Sequence, residues 1–279
     1  MEKNLSGQSH YYLPAPSYWP IIGSLSLLII FSGFVLLLQH IKAGSYIMAA
    51  GGLAMVYMLF GWFGAVIRES RAGLFNAQVD LSFRWGMSWF IFSEITFFAG
   101  FFGALFYARN FAVPWLAQAH ILWPGYTASW PTAGPGLPAQ FTPMAAWGIP
   151  AINTLILLSS GATVTWAHWG LKKNNRLQLK LGLLFTIMLG ITFLILQVHE
   201  YMSADFSLKT GIYGATFFML TGFHGVHVTL GATMLTVILF RTMAGHFTPS
   251  SHFGFEAVSW YWHFVDVVWL MLFIFVYWL

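Results

Sequence analysis

Residues 211–240 read Gly-Ile-Tyr-Gly-Ala-Thr-Phe-Phe-Met-Leu-Thr-Gly-Phe-His-Gly-Val-His-Val-Thr-Leu-Gly-Ala-Thr-Met-Leu-Thr-Val-Ile-Leu-Phe, thirty positions without an Asp, Glu, Lys or Arg. An α-helix rises about 1.5 Å per residue, so about 20 apolar residues cross a hydrocarbon core about 30 Å thick. This stretch is long enough, and six others resemble it: Pro20–Leu38, Ile47–Ile67, Trp85–Ala108, Ala145–Ala167, Leu181–Val198 and Ala257–Leu279. The third of the seven carries only Glu94 and the last only Asp266. The runs are continuous rather than alternating, which predicts spanning helices and not barrel strands.

The rest of the chain agrees. Of 279 residues, 58% are apolar and only 7% charged, against about a quarter charged in soluble proteins. Composition therefore excludes a single soluble globule, a disordered chain and a nucleic-acid partner. The net charge of +4 is spread thinly and forms no basic patch. Without cysteine, disulfides, iron–sulfur clusters and thiolate metal sites are excluded. No cleavable signal peptide is expected in the polar, Pro- and Tyr-rich start of the chain.

Seven spans put the termini on opposite sides. With the N-terminus in the cytoplasm, the inner segments hold Lys3, Arg68, Arg71, Arg84, Lys172, Lys173, Arg176, Lys180 and Arg241, and the outer ones only Lys42, Arg109 and Lys209. The positive-inside rule thus predicts N-in and C-out. The expected organisation is a cytoplasmic arm at 1–19, a two-helix bundle at 20–67, a cytoplasmic loop at 68–84, and a five-helix bundle at 85–279. A long outer segment, 109–144, is rich in Pro and Trp and nearly uncharged, and is expected to be an irregular flap at the outer interface.

Nearly all intramembrane polarity falls in the last five spans. Glu94 and Asp266 each lie nine residues into helices of the same direction, about 13 Å deep and so near the midplane. Gly222-Phe-His224-Gly225-Val-His227 places two imidazoles on neighbouring faces of one helix, with glycines, Gly231 included, that leave room for another backbone. His263 and Asp266 share the same spacing in the last span. Such groups face the protein interior. Three readings stay open for them: ligands for haem or a metal, a proton relay, or hydrogen bonds that hold helices together. Haem needs imidazoles facing from two helices, and a dinuclear site needs more carboxylates at matched depth than these spans offer. No stoichiometric haem, iron or copper is therefore expected. Glu94 is expected to be a neutral acid paired with His227 or His224.

The residues also resemble a known family. His252-Phe-Gly-Phe-Glu256-Ala-Val-Ser-Trp260-Tyr-Trp262-His263-Phe-Val-Asp266-Val-Val-Trp269-Leu resembles the last helix of cytochrome c oxidase subunit III. So do Gly211-Ile-Tyr-Gly-Ala-Thr with Thr221-Gly-Phe-His224-Gly-Val-His227, Asn153-Thr with Ser160-Gly-Ala-Thr-Val-Thr-Trp166-Ala-His168, Ser93-Glu94 with Phe97-Phe98, and Trp62 with Arg68-Glu69-Ser70. The similarity runs from Tyr18-Trp-Pro20 to the C-terminus. Phe63 stands where the family often has a second Trp, and Asn76-Ala-Gln78 replaces a His pair common in mitochondrial members.

The resemblance implies an all-α membrane protein whose two- and five-helix bundles form a V-shaped cleft holding phospholipid. It implies an accessory subunit of a proton-pumping oxidase that reduces dioxygen with electrons from cytochrome c, without a catalytic centre of its own. Haem and copper would sit in partner subunits, chiefly catalytic subunit I, whose proton uptake and durability this chain would support. Trp62, Glu69, Arg241 and His246 are the expected lipid-binding residues and His10 a surface proton collector. Glu94, His224, His227, His263 and Asp266 would be structural or proton-related. The expected location is a bacterial cytoplasmic (inner) membrane. A quinol-oxidising relative is the nearest alternative, and a stand-alone transporter or haem protein a more distant one.

Overall fold

The computed structural model describes residues 12–137 and 141–279. Among them the chain is helical, without a β-strand: α1 Trp19–Leu38, α2 Ala43–Arg71, α3 Ala77–Tyr107, α4 Val113–Gln118, α5 Ile149–Lys172, α6 Arg176–Ser203, α7 Ile212–Met243 and α8 Phe253–Leu272. Seven helices are long and apolar enough to cross a membrane, and the protein is an all-α polytopic membrane protein. The chain divides into two compact units, Met1–Phe83 and Arg84–Leu279, with the boundary inside α3.

In the first unit α1 and α2 form an antiparallel hairpin. Leucine packed on lipid and leucine packed on leucine differ little in energy, so helices in a bilayer associate by close approach. Small residues supply it here. A Cβ on Gly44 would lie 2.6 Å from the Gly33 carbonyl oxygen, so the two backbones touch. Outward-facing Leu28, Phe31, Leu53 and Phe60 remain exposed, as lipid-facing residues do.

In the second unit α5, α6, α7 and α8 close a ring, each packed on the next and α8 back on α5. α3 adds to it through side chains: Phe90 stacks on Tyr261, and Phe98 meets His227 and Phe264. Trp262 and Trp269 of α8 are fully buried at the centre. The Trp262 indole fills a slot between glycines. A Cβ on Gly190 would come within 2.7 Å of the ring, and one on Gly231 within 2.8 Å. The approach expected at Gly231 is therefore that of a side chain and not of another backbone. Gly222 and Gly225 face open space, along an outer groove between α6 and α7.

Two expectations about the connections are corrected. The expected loop at 68–84 is largely helix, because α2 runs to Arg71 and α3 starts at Ala77. A helix continues past the hydrocarbon edge when nothing breaks it, and Asn76 restarts it by accepting the Val79 amide at 3.0 Å. The expected flap at 109–144 begins as helix too: a π-helical turn, Ala108–Ala112, carries the chain into α4. Its later part is an anchor. The carbonyls of Thr132 and Ala133 accept the amides of Tyr213 and Ile212 at 3.1 Å, satisfying donors that a helix start leaves unpaired. Gly211 makes this fit, since its φ is +97° and the Ala133 carbonyl occupies the place of a side chain.

The slot at Trp262 yields a paired prediction. Gly231→Ala pushes against a ring with nowhere to go and should destabilise the detergent-solubilised chain by about 1–3 kcal/mol. Gly222→Ala should leave the unfolding midpoint unchanged. Thermal unfolding followed by tryptophan fluorescence reads both, and equal midpoints would show that the slot carries no strain.

Candidate functional site

Of the intramembrane polar groups expected to face the interior, His224, His227 and Asp266 are buried, whereas the Glu94 side chain is 22% exposed and that of His263 45% exposed, at the rim of the bundle. On α3, Glu94 Oε2 lies 2.8 Å from His227 Nε2 on α7. The other nitrogen, His227 Nδ1, lies 2.7 Å from the Phe223 carbonyl one turn back. A carbonyl only accepts, so Nδ1 carries a proton and donates it. The short contact to Glu94 then needs one further proton, held either by the acid or by the imidazole. Phe98 packs on the His227 ring with centroids 4.9 Å apart, and Tyr261 stacks over it at 6.4 Å. Of the two histidines considered for Glu94, the helix register gives it His227.

His224 lies deeper, 1% exposed. Its Nε2 donates to the Val265 carbonyl at 3.2 Å, tying α7 to α8, while Nδ1 is buried without a partner. Phe193 and Trp269 wall the ring. His263 and Asp266 approach at 3.5 Å, and His263 Nε2 meets Thr165 Oγ1 of α5 at 3.2 Å. Gly161 makes room for this pair, because the Asp266 carboxylate fills the place its side chain would take. Two indoles complete the layer: Trp262 N–H donates to Ser160 Oγ, and Trp269 N–H to Thr154 Oγ1, each at 2.9 Å.

Two clusters have no counterpart in the sequence reading. Tyr277 donates to Glu200 at 2.7 Å, and both are buried. Glu200 escaped notice because the fifth span was ended at Val198, whereas α6 runs to Ser203. At the other end of the unit, His168, His252 and Glu256 bring three ligating atoms within 4.8 Å of one another. Residues distant in sequence reveal such a meeting only once α5 and α8 are packed.

The expected lipid-binding residues fall in both units. In the first, Trp62 is exposed and stacks on Phe63 at 5.7 Å, while Glu69 accepts from the Tyr12 phenol. In the second, the Arg241 guanidinium lies 4.4 Å from the Phe247 ring centroid, and its Nε is buried without a partner. The His246 amide donates to the Arg241 carbonyl at 3.0 Å and closes the end of α7. His10 lies outside the described residues.

A family model described as cytochrome c oxidase subunit III matches residues 9–279. The chain belongs to the cytochrome c oxidase subunit III family. Cytochrome c oxidase subunit 3 of Pongo abelii is 43% identical over 276 residues, covering 98% of this chain and 99% of that protein. The Homo sapiens protein of the same name is 42% identical over 276 residues with the same coverage, and that of Papio hamadryas 42% identical over 269 residues, 96% of each chain. As a subunit III relative, the chain is a membrane component of an oxidoreductase complex, and other oxidase subunits are its partners.

The Glu94–His227 bridge separates shape from charge. Glu94→Gln keeps a donor facing His227 Nε2 and should leave the thermal midpoint close to that of the unaltered chain. Glu94→Leu strands that nitrogen and should lower the thermal midpoint measurably. Equal midpoints for the two variants would show that the bridge holds nothing together.

Proposed function

We propose that this chain is the non-redox accessory subunit III of a proton-pumping cytochrome c oxidase, packed against the catalytic haem–copper subunit and bearing no catalytic centre itself. The observation that carries the proposal is the closed character of the buried polar layer. A proton handed from Glu94 to His227 would go no further, because the second nitrogen of His227 already donates to a backbone carbonyl. Through that imidazole there is no onward acceptor. Glu94 is accordingly structural: a neutral acid donating to a neutral imidazole. An ionic pair at this depth needs further hydrogen bonds to offset desolvation, and the aromatic rings around His227 supply none. Haem and copper belong to the partner subunits.

The second part of the proposal is phospholipid binding. Arg241 holds a positive charge over Phe247 in the last turn of α7, and cations near a membrane surface attract phosphate. His246 adjoins it at the end of α7, and Trp62 and Glu69 serve the first unit in the same role. The third part is support of proton uptake by the catalytic subunit, with His10 exchanging protons near neutral pH. The excess of Lys and Arg in alternate connections favours the N-terminus inside and the C-terminus outside. The membrane we propose is a bacterial cytoplasmic one.

Copurification tests the assignment. The tagged chain, extracted in mild detergent, should bring with it a haem-containing subunit and oxidase activity toward cytochrome c. Activity toward quinol alone would move the assignment to the quinol-oxidising relatives, and no haem partner would remove it. In that complex, Arg241→Ala should reduce phosphorus per chain, and Glu94→Gln should leave oxygen reduction and pumping near normal. Loss of pumping with intact assembly would make Glu94 a relay.

His10→Ala should slow turnover mainly at high pH, where proton supply limits the rate and a collecting group matters most. A pH–rate profile parallel to that of the unaltered complex would refute a collecting role.

A further inference from the structure

We propose that His168, His252 and Glu256 form a binding site for a single zinc-class divalent cation at the junction of α5 and α8. This site lies at the end of α5 and the start of α8, apart from Glu94, His224 and His227.

Three features distinguish the trio from a chance meeting of polar residues. The first is tautomer control. His252 Nδ1 lies 3.1 Å from the Thr248 carbonyl oxygen. A carbonyl only accepts, so that nitrogen holds the proton, and in the neutral ring Nε2 keeps a free lone pair. It is Nε2 that faces Glu256, at 4.0 Å from Oε1. A backbone carbonyl fixing one nitrogen while the other is offered is the usual outer arrangement around a metal-bound histidine.

The second feature is an uncommitted buried nitrogen. His168 Nε2 is buried without a hydrogen-bond partner and lies 3.9 Å from the same Glu256 oxygen. Both gaps are too long for a hydrogen bond. Three groups that could pair directly instead stand around a common centre, with their ligating atoms within 4.8 Å of one another. Tetrahedral zinc with ligands at about 2.0–2.1 Å sets neighbouring ligand atoms about 3.4 Å apart. The two gaps to Oε1 need to close by about half an ångström, and the gap between the imidazoles, bounded at 4.8 Å, by up to about 1.4 Å, which rotation of the imidazole and carboxylate side chains would have to supply.

The third feature is the hold on the carboxylate. Arg84 NH2 approaches Glu256 Oε2 at 2.6 Å, which orients the group and leaves Oε1 toward the imidazoles. The His168 and His252 rings lie 5.6 Å apart in an edge-to-face arrangement, and Phe255 packs on His168 at 5.3 Å. The histidine and glutamate side chains are 12–18% exposed, so an ion can enter from one side and keep water as a fourth ligand. Two imidazoles and one carboxylate suit zinc and its neighbours, whereas calcium and magnesium prefer all-oxygen sites. A bound ion would clamp the end of α5 to the start of α8.

The experiment uses the full chain in mild detergent, carrying a tag without histidine and stripped with a chelator. ZnCl2 is titrated by calorimetry, metal per chain is counted after gel filtration, and MgCl2 serves as the control. One zinc per chain and a higher thermal midpoint with zinc but not magnesium are expected. His168→Gln and His252→Gln each remove one ligand and leave the Arg84 contact intact. Each should weaken zinc binding by about tenfold or more and abolish the rise in midpoint. Absence of zinc binding in the unaltered chain overturns the proposal, as does equal binding by that chain and both variants. If neither variant folds, X-ray absorption at the zinc edge of the unaltered chain decides. Two imidazole shells with oxygen support the trio, and any other ligand set overturns it.

Discussion

Everything in the second unit is arranged around one indole. Trp262 is fully buried, gripped between Gly190 of α6 and Gly231 of α7, with its N–H on Ser160 of α5. One side chain of α8 thereby sets its distance to three neighbouring helices. The constraint is severe because the surroundings are lipid. Apolar contact with a neighbouring helix is scarcely better than apolar contact with an acyl chain, so packing fit and hydrogen bonds must supply the specificity.

Magnitudes show how the two contributions divide. An interhelical hydrogen bond in a bilayer is worth about 0.6 kcal/mol on average. Trp262–Ser160, Trp269–Thr154, Thr163–Thr186 and Glu94–His227 together amount to only about 2–3 kcal/mol on that scale. A single misfit in a full core costs about as much. The hydrogen bonds therefore choose the register, and the glycine slots and large rings hold it. The polar residues sit beside the indoles because a buried N–H without an acceptor would be penalised more than the bond is worth. Asn153, buried with neither amide atom partnered, departs from this pattern, and nothing in the structure explains it.

What the sequence made legible follows from the same physics. The seven apolar runs translate directly into helices, since a backbone in lipid must satisfy its own hydrogen bonds. Their ends do not translate. Beyond the hydrocarbon the apolar pattern stops while the helix goes on, as α2 does to Arg71 and α6 to Ser203. The anchoring of 132–133 on the start of α7 depends on a carbonyl fitting against Gly211, a contact without a compositional signature. In the site, depth along a helix singled out Glu94 and the two histidines. Which histidine meets the acid is a matter of rotation about the α7 axis, and that is set by the opposing faces of α3 and α8.

The histidines illustrate how one local device produces different chemistry. His227, His224 and His252 each place one ring nitrogen on a backbone carbonyl: Phe223, Val265 and Thr248 respectively. The carbonyl fixes the proton on that nitrogen and leaves the other as an acceptor. The surroundings then decide its use. At His227 a carboxyl oxygen stands at 2.8 Å, and the nitrogen closes a one-proton bridge between α3 and α7. At His224 aromatic rings wall the imidazole, and the second nitrogen is buried without a hydrogen-bond partner. At His252 a carboxylate oxygen and a second imidazole stand just beyond hydrogen-bonding distance, so the lone pair is neither consumed nor walled off. What stands opposite the second nitrogen sorts the three, and exposure does not, since the His227 and His252 side chains are 10% and 12% exposed: at His227 it is spent on a hydrogen bond, at His224 it is enclosed, and at His252 it is left for an ion.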